Sequence, residues 1–102
     1  MKIFPLGHAG FKINLENKVI LIDPWILNNP SSPYKKIEEL LVSKCDYIFV
    51  THEHQDHGLE DAIRLCKLQP KITLVGTLQL VQFAKEKGEK MLLVPVSGVM
   101  LI

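Results

Sequence analysis

Residues 51 to 57 read Thr-His-Glu-His-Gln-Asp-His, so three of the chain's four histidines fall within six positions, beside an aspartate. In an extended segment, residues two apart point the same way. His52 and His54 can therefore offer two imidazoles to one point in space. Neutral imidazole binds zinc and its first-row neighbours at about 2.0–2.1 Å. Asp56 and His57 follow where the chain must turn towards the next element, and Gly58 eases that turn. The second pair is thus aimed at a different point close to the first. The spacing suits two adjacent metal ions, or one ion with a carboxylate over its water. Such an ion lowers the pKa of bound water from about 15.7 to about 7 and polarises a carbonyl or phosphoryl oxygen. Asp56 has a catalytic part in this scheme, binding the second ion while orienting the hydroxide. Esters, lactones, amides and phosphodiesters are the substrates of such a centre. The competing reading is a polar loop at a strand end, with Asp56 only capping the following helix. The crowding of imidazoles favours the metal. Zinc is the expected cofactor, one or two ions, and the mixed His/Asp set also suits manganese or iron.

These residues need a rigid support, and the flanking sequence provides for one. DYIFV (46–50) reads as a buried strand that ends at the motif. After it, Leu59, Ala62, Ile63 and Cys66 fall at i, i+3, i+4 and i+7, an amphipathic helix over 59–68 stopped by Pro70. Upstream, residues 1–5 lead into a first strand. Residues 10–16 alternate apolar and polar with period two, and VILI (19–22) is a continuous apolar run suited to a fully buried strand. Glu16-Asn17-Lys18 makes the turn between them. Asp23-Pro24 ends the third strand, a loop covers about 25–33, and a short helix is expected at 34–42. Downstream, 71–76 reads as a strand, and 77–88 as a helix capped by Thr77 and ended by Gly88. MLLVP (91–95) is a last strand. No repeat, linker or low-complexity segment interrupts the series.

The chain has 102 residues, 47% hydrophobic and 23% charged, with 12 Lys+Arg against 11 Asp+Glu for a net charge of +1. That is the profile of a soluble globular domain. The charge balance argues against a nucleic-acid or anionic-membrane partner. No apolar run approaches the roughly 18 residues of a membrane span, and the cytoplasm is the expected compartment. Cys45 and Cys66 lack CxxC spacing and read as small buried hydrophobes. The closing VMLI run implies a single partial domain over 1–102, truncated at its C-terminus, although a terminal strand at a sheet edge fits too.

The HxHxDH motif at 52–57 resembles the signature of the metallo-β-lactamase superfamily. GHAGFKINLENKVILIDPW (7–25) is similar to the opening of its branch of predicted metal-dependent hydrolases that includes ascorbate-phosphate lactonase. The resemblance implies an α/β (α+β layered) fold: half of an αββα sandwich, a mixed β-sheet with helices on one face. It implies that His52 and His54 serve a first zinc site, Asp56 and His57 a second, and that Asp23 steadies the motif loop from behind. It also implies further ligands that this sequence lacks, since no histidine follows His57. A hydrolase with an incomplete site is therefore expected, weakly active alone, and acting on a small-molecule ester, lactone or phosphodiester. The alternative is a non-catalytic metal-binding or assembly module that retains the motif. A nuclease of the same superfamily is disfavoured by the neutral charge. Self-association, or a second chain completing the fold, is expected of a half whose sheet face lacks its cover.

Smaller signals have two readings each. His8 is either a pocket residue or a hydrogen-bonded turn residue. Asp23 either supports the motif or forms a simple Asp-Pro turn. Trp25 either walls a cleft or covers the edge of the core.

Overall fold

The computed structural model describes residues 1–36, 45–51, 58–88 and 91–93. Its elements run β1 (Lys2–Pro5), β2 (Phe11–Asn14), β3 (Val19–Ile22), β4 (Tyr47–Phe49), α1 (Leu59–Leu68), β5 (Thr73–Gly76), α2 (Leu78–Glu86) and β6 (Met91–Leu93). Among the described residues the strands form one six-stranded sheet in the order β1-β2-β3-β4-β5-β6. β1, β2 and β3 are antiparallel neighbours, while β3 to β6 run parallel. This is the mixed sheet that the family resemblance implies. The expected helix at 34–42 falls mostly outside the described residues, and Tyr34, Lys35 and Lys36 are not helical.

The two kinds of pairing follow from connection length. Leu15 N–H donates to the Lys18 carbonyl at 2.8 Å, closing the tight turn between β2 and β3. Parallel neighbours instead need a long crossover, which α1 and α2 supply for β4 to β5 and β5 to β6. The apolar stripe expected on α1 is buried throughout: Leu59, Ala62, Ile63 and Cys66, joined by Leu65. These pack in one cluster with Leu21, Ile48 and Leu74 of the sheet and Leu80 and Ala84 of α2. Each fully buried leucine there contributes roughly 1.5–3 kcal/mol. Two details of α2 depart from expectation. Thr77 occupies the N-cap, but its hydroxyl makes no capping bond. Gly88 follows the C-cap Lys87 at φ +79°, which a left-handed stop requires.

Register places Leu21, Ile48 and Leu74 in one row, facing the helices. Their neighbours point the other way: Ile3, Ile13, Ile20 and Tyr47 in one row, Phe11, Ile22, Phe49 and Val75 in the next. That second face is apolar, and Ile3 and Phe11 are 53% and 40% exposed on it. One sheet therefore has a covered face and a partly bare one.

Cys45 and Cys66 are both buried and neither is in a disulfide. Burial, reinforced by the Asp46 carboxylate beside it, pushes the Cys45 thiol from 9.0 up to about 11, against a smaller opposing pull from the Tyr47 backbone and Lys12. A raised folded-state pKa means full stability below pH 9.0 and a progressive loss as pH climbs towards 11. Denaturant unfolding at pH 8 and pH 10.5 should show this loss, and Cys45→Ala should have a smaller difference between the two. Equal differences would contradict the assignment. No described helix is long and apolar enough to cross a membrane.

Candidate metal centre

His52, His54, Asp56 and His57 lie outside the described residues. The structure does define both ends of the segment that carries them. Thr51 precedes His52 at the carboxyl end of β4, and Gly58 follows His57 as the N-cap of α1. In open sheets with parallel strands, ligands bind outside those carboxyl ends. Among the described residues, no group of three or more His, Cys, Asp or Glu comes together as a metal site. The donors fit a first-row cation by their chemistry: three imidazoles and a carboxylate.

The leading end is held by Asp23. Its carboxylate is 3% exposed and accepts two bonds from Thr51, the backbone N–H at 2.8 Å and the hydroxyl at 2.6 Å. Asp23 N–H in turn donates to the Phe49 carbonyl at 2.9 Å, extending the β3–β4 ladder by one rung. Asp23 adopts φ +48°, a left-handed conformation that Asp tolerates better than most residues. That backbone twist turns the chain out of β3 and aims the side chain across at β4. The sequence offered a support role or a turn role for this residue; geometrically it has both.

The trailing end is held by contacts that the sequence did not reveal. Gly58, at φ +75°, lies against the Pro24–Trp25 peptide. A β-carbon there would sit 2.4 Å from the Pro24 carbonyl carbon and 2.5 Å from its oxygen. Asp61, in the first turn of α1, is 4% exposed. One of its oxygens, Oδ2, accepts the N–H of Ile26 at 2.7 Å and of Leu27 at 2.9 Å. An acidic residue in a first helical turn ordinarily reads as a partner for the helix dipole. No feature of the sequence tells that Asp61 reaches 35 residues back instead.

The loop after β3 therefore spans both ends of the motif, and it is built rather than slack. Asn29 donates from its side chain to the Trp25 carbonyl and accepts from Ser31 N–H, each at 2.9 Å. Ser32 Oγ accepts from Tyr34 N–H at 3.0 Å. His8, on the β1–β2 turn at φ +51°, sets its ring edge-on to Trp25 with centroids 5.4 Å apart. Trp25 also borders a cavity of about 280 Å³ beside the start of α1, with Asn28, Glu60, Arg64 and Phe83. It thus walls a hollow, though not one that the described residues tie to the motif.

Comparison with known proteins gives the class. A family model described as a beta-lactamase superfamily domain matches residues 2–93, and the chain belongs to that family. Among its relatives, a UPF0173 metal-dependent hydrolase of Korarchaeum cryptofilum is 47% identical over 83 residues, covering 81% of this chain and 35% of the relative. One of Staphylothermus marinus is 46% identical over 88 residues, covering 81% and 37%. The solved structure of Igni18, a metallo hydrolase from Ignicoccus hospitalis, superposes with a TM-score of 0.80 at 25% identity, over 94% of this chain and 40% of that one. The fold is that of half a metallo-β-lactamase sandwich. This chain spans little more than a third of the length of these relatives.

Proposed function

We propose that this chain carries the principal metal-binding segment of a metal-dependent hydrolase acting on an ester, lactone or phosphodiester. The observation that carries the reading is the double-ended support of residues 52–57, at the carboxyl end of β4, in a chain whose relatives are metal-dependent hydrolases. His52 and His54 would hold one zinc ion, Asp56 and His57 a second. Zinc, when bound, acidifies a water molecule and polarises the scissile group. Asp56 would accept a hydrogen bond from the attacking water and orient it. The support from Asp23 would limit motion of the segment, so that little ordering cost falls on metal binding. Manganese or iron suits the same donors. A cytoplasmic location and a small-molecule substrate belong to the same reading.

The bare sheet face bears on completeness. Ile3 and Phe11 expose apolar surface on a face that also carries Ile22 and Phe49. The remainder of a longer chain, or a second chain, would cover it and bring the further ligands. A binding-only module that retains the motif is the second reading.

Zinc stoichiometry and esterase and phosphodiesterase turnover, measured on residues 1–102 with the mass in sedimentation, test these readings together. Weak zinc binding abolished by His52→Ala with His54→Ala, low turnover and a self-associated species are expected. Zinc binding indifferent to both substitutions would remove the metal reading. Binding without turnover, even when the fold is completed by a second chain, would favour the module.

A further inference from the structure

We propose that Asp61 is a positioning residue for the metal ligands, acting through the loop after β3. This rests on the metal reading above. The six residues 52–57 are the only stretch between Thr51 and Gly58, and one continuous loop braces both of its ends. Asp23 fixes the leading end through Thr51. At the trailing end Gly58 seats against Pro24 and Trp25, and Asp61 fastens the next two residues of the same loop. Asp61 is three residues beyond Gly58 and on the same rigid helix. Its two bonds therefore set where α1 begins relative to Asp23, and hence the span that the motif must bridge.

The carboxylate's environment argues that this is its task. A buried carboxylate is costly unless its lone pairs are satisfied. Asp61 is satisfied by two amides from a distant segment rather than by the first turn of its own helix. Hydrogen bonds from amides to a carboxylate are short and stronger than neutral ones. Partners that bond a metal ligand directly change affinity by about 10–100-fold when lost, and Asp61 acts a step further out through the loop, so the low end of that range is expected. Without Asp61 the start of α1 keeps its core packing and the Ala62-to-Gly58 backbone hydrogen bond but loses its polar tie to the loop, so more of the cost of fixing the ligands falls on metal binding.

Both bonds arrive at a single oxygen, and this makes the test specific. Asn can place its one carbonyl oxygen where Oδ2 stands, so Asp61→Asn keeps the brace. Asp61→Ala removes it, and Asp61→Glu displaces it by a methylene. Zinc affinity of residues 1–102 should fall by about tenfold or more in Asp61→Ala and measurably in Asp61→Glu, while Asp61→Asn stays within about threefold of the parent. Visible absorption of the cobalt-loaded chain should change in the same order. Leu80→Ala, which opens the core on α2, serves as the control for general destabilisation. Equal loss of zinc affinity in Leu80→Ala and Asp61→Ala at matched unfolding midpoints would overturn the proposal, as would parent-like affinity in Asp61→Ala. Should Asp61→Ala not fold, the Asn and Glu variants carry the comparison, and equal affinity in these two would overturn it. Failure of the metal reading shows separately, as absent zinc binding in the parent, and takes this proposal with it.

Discussion

Gly58→Ala is expected to destabilise the chain by about 2–4 kcal/mol, whereas Gly88→Ala should cost about 1 kcal/mol. Both glycines have positive φ, +75° and +79°, so both variants bear the left-handed strain of an L-residue. The surroundings separate them. At Gly88 an added β-carbon meets nothing within 4 Å, and only the strain remains. At Gly58 it would overlap Pro24 carbonyl atoms and the Trp25 nitrogen at 2.4–2.5 Å. All three are backbone atoms, so no rotamer change relieves the overlap. Either α1 or the loop after β3 must move, and overpacking of this kind costs about 1–3 kcal/mol beyond the strain. Against a total stability of about 5–15 kcal/mol for a domain, that is a large share. Urea unfolding of the two variants beside the parent measures it. Similar losses for both would show that the Gly58–Pro24 contact does not constrain the chain. The same displacement moves the residue next to His57, so Gly58→Ala should also weaken zinc binding, and Gly88→Ala should not.

How far the sequence foretells this arrangement depends on the range of the interaction. β3 and α1 occupy the residues that the apolar pattern assigns to them, because burial of Ile20 and Leu21 and of the stripe from Leu59 to Cys66 is a local pattern with a global consequence. Val19 and Ile22 are only half-buried, where full burial is expected. Boundaries slip where the pattern is diluted: the strand read over 10–16 pairs only from Phe11 to Asn14, since Leu15 already belongs to the turn. Thr77 stands where a cap should be and does not cap, so residue type alone did not decide the bond. The motif is legible by composition because metal chemistry needs particular side chains, whatever the fold. Its supports are less so. Asp23 was visible as a turn former, and its reach to Thr51 could be inferred only by family resemblance. Asp61 carried no signal, because a first-turn acid is common and its partners are backbone amides, which have no residue identity to read. The same holds for Gly58, whose closeness to Pro24 is a contact with a peptide group. Side chains that act on the distant backbone are the part of a site that one sequence conceals.

The support at Asp23 can be dissected by three substitutions that divide its two roles. Asp23→Asn should cost under about 1 kcal/mol: Asn tolerates left-handed φ, its carbonyl can accept Thr51 N–H, and the Thr51 hydroxyl can reorient to accept from the amide. Asp23→Gly relieves the backbone at φ +48° but deletes both acceptors for Thr51. Bonds to a charged group are worth about 1.5–3 kcal/mol each, and Thr51 is exposed enough for water to recover part of that loss, so about 1–3 kcal/mol is expected. Asp23→Ala deletes the acceptors and keeps a β-carbon in the left-handed region, which adds about 1 kcal/mol and makes it the most harmful of the three. The order Asn, Gly, Ala in urea midpoints identifies the two contributions separately. If Gly matched the parent, the Thr51 bonds would contribute nothing, and Asp23 would be a turn former only. If Ala matched Gly, the strain at φ +48° would be relaxed by a shift of Pro24, and with it of the Gly58 contact. Zinc affinity should follow the acceptors rather than the backbone, falling in Gly and Ala alike and persisting in Asn, because it is the grip on Thr51 that fixes where His52 begins.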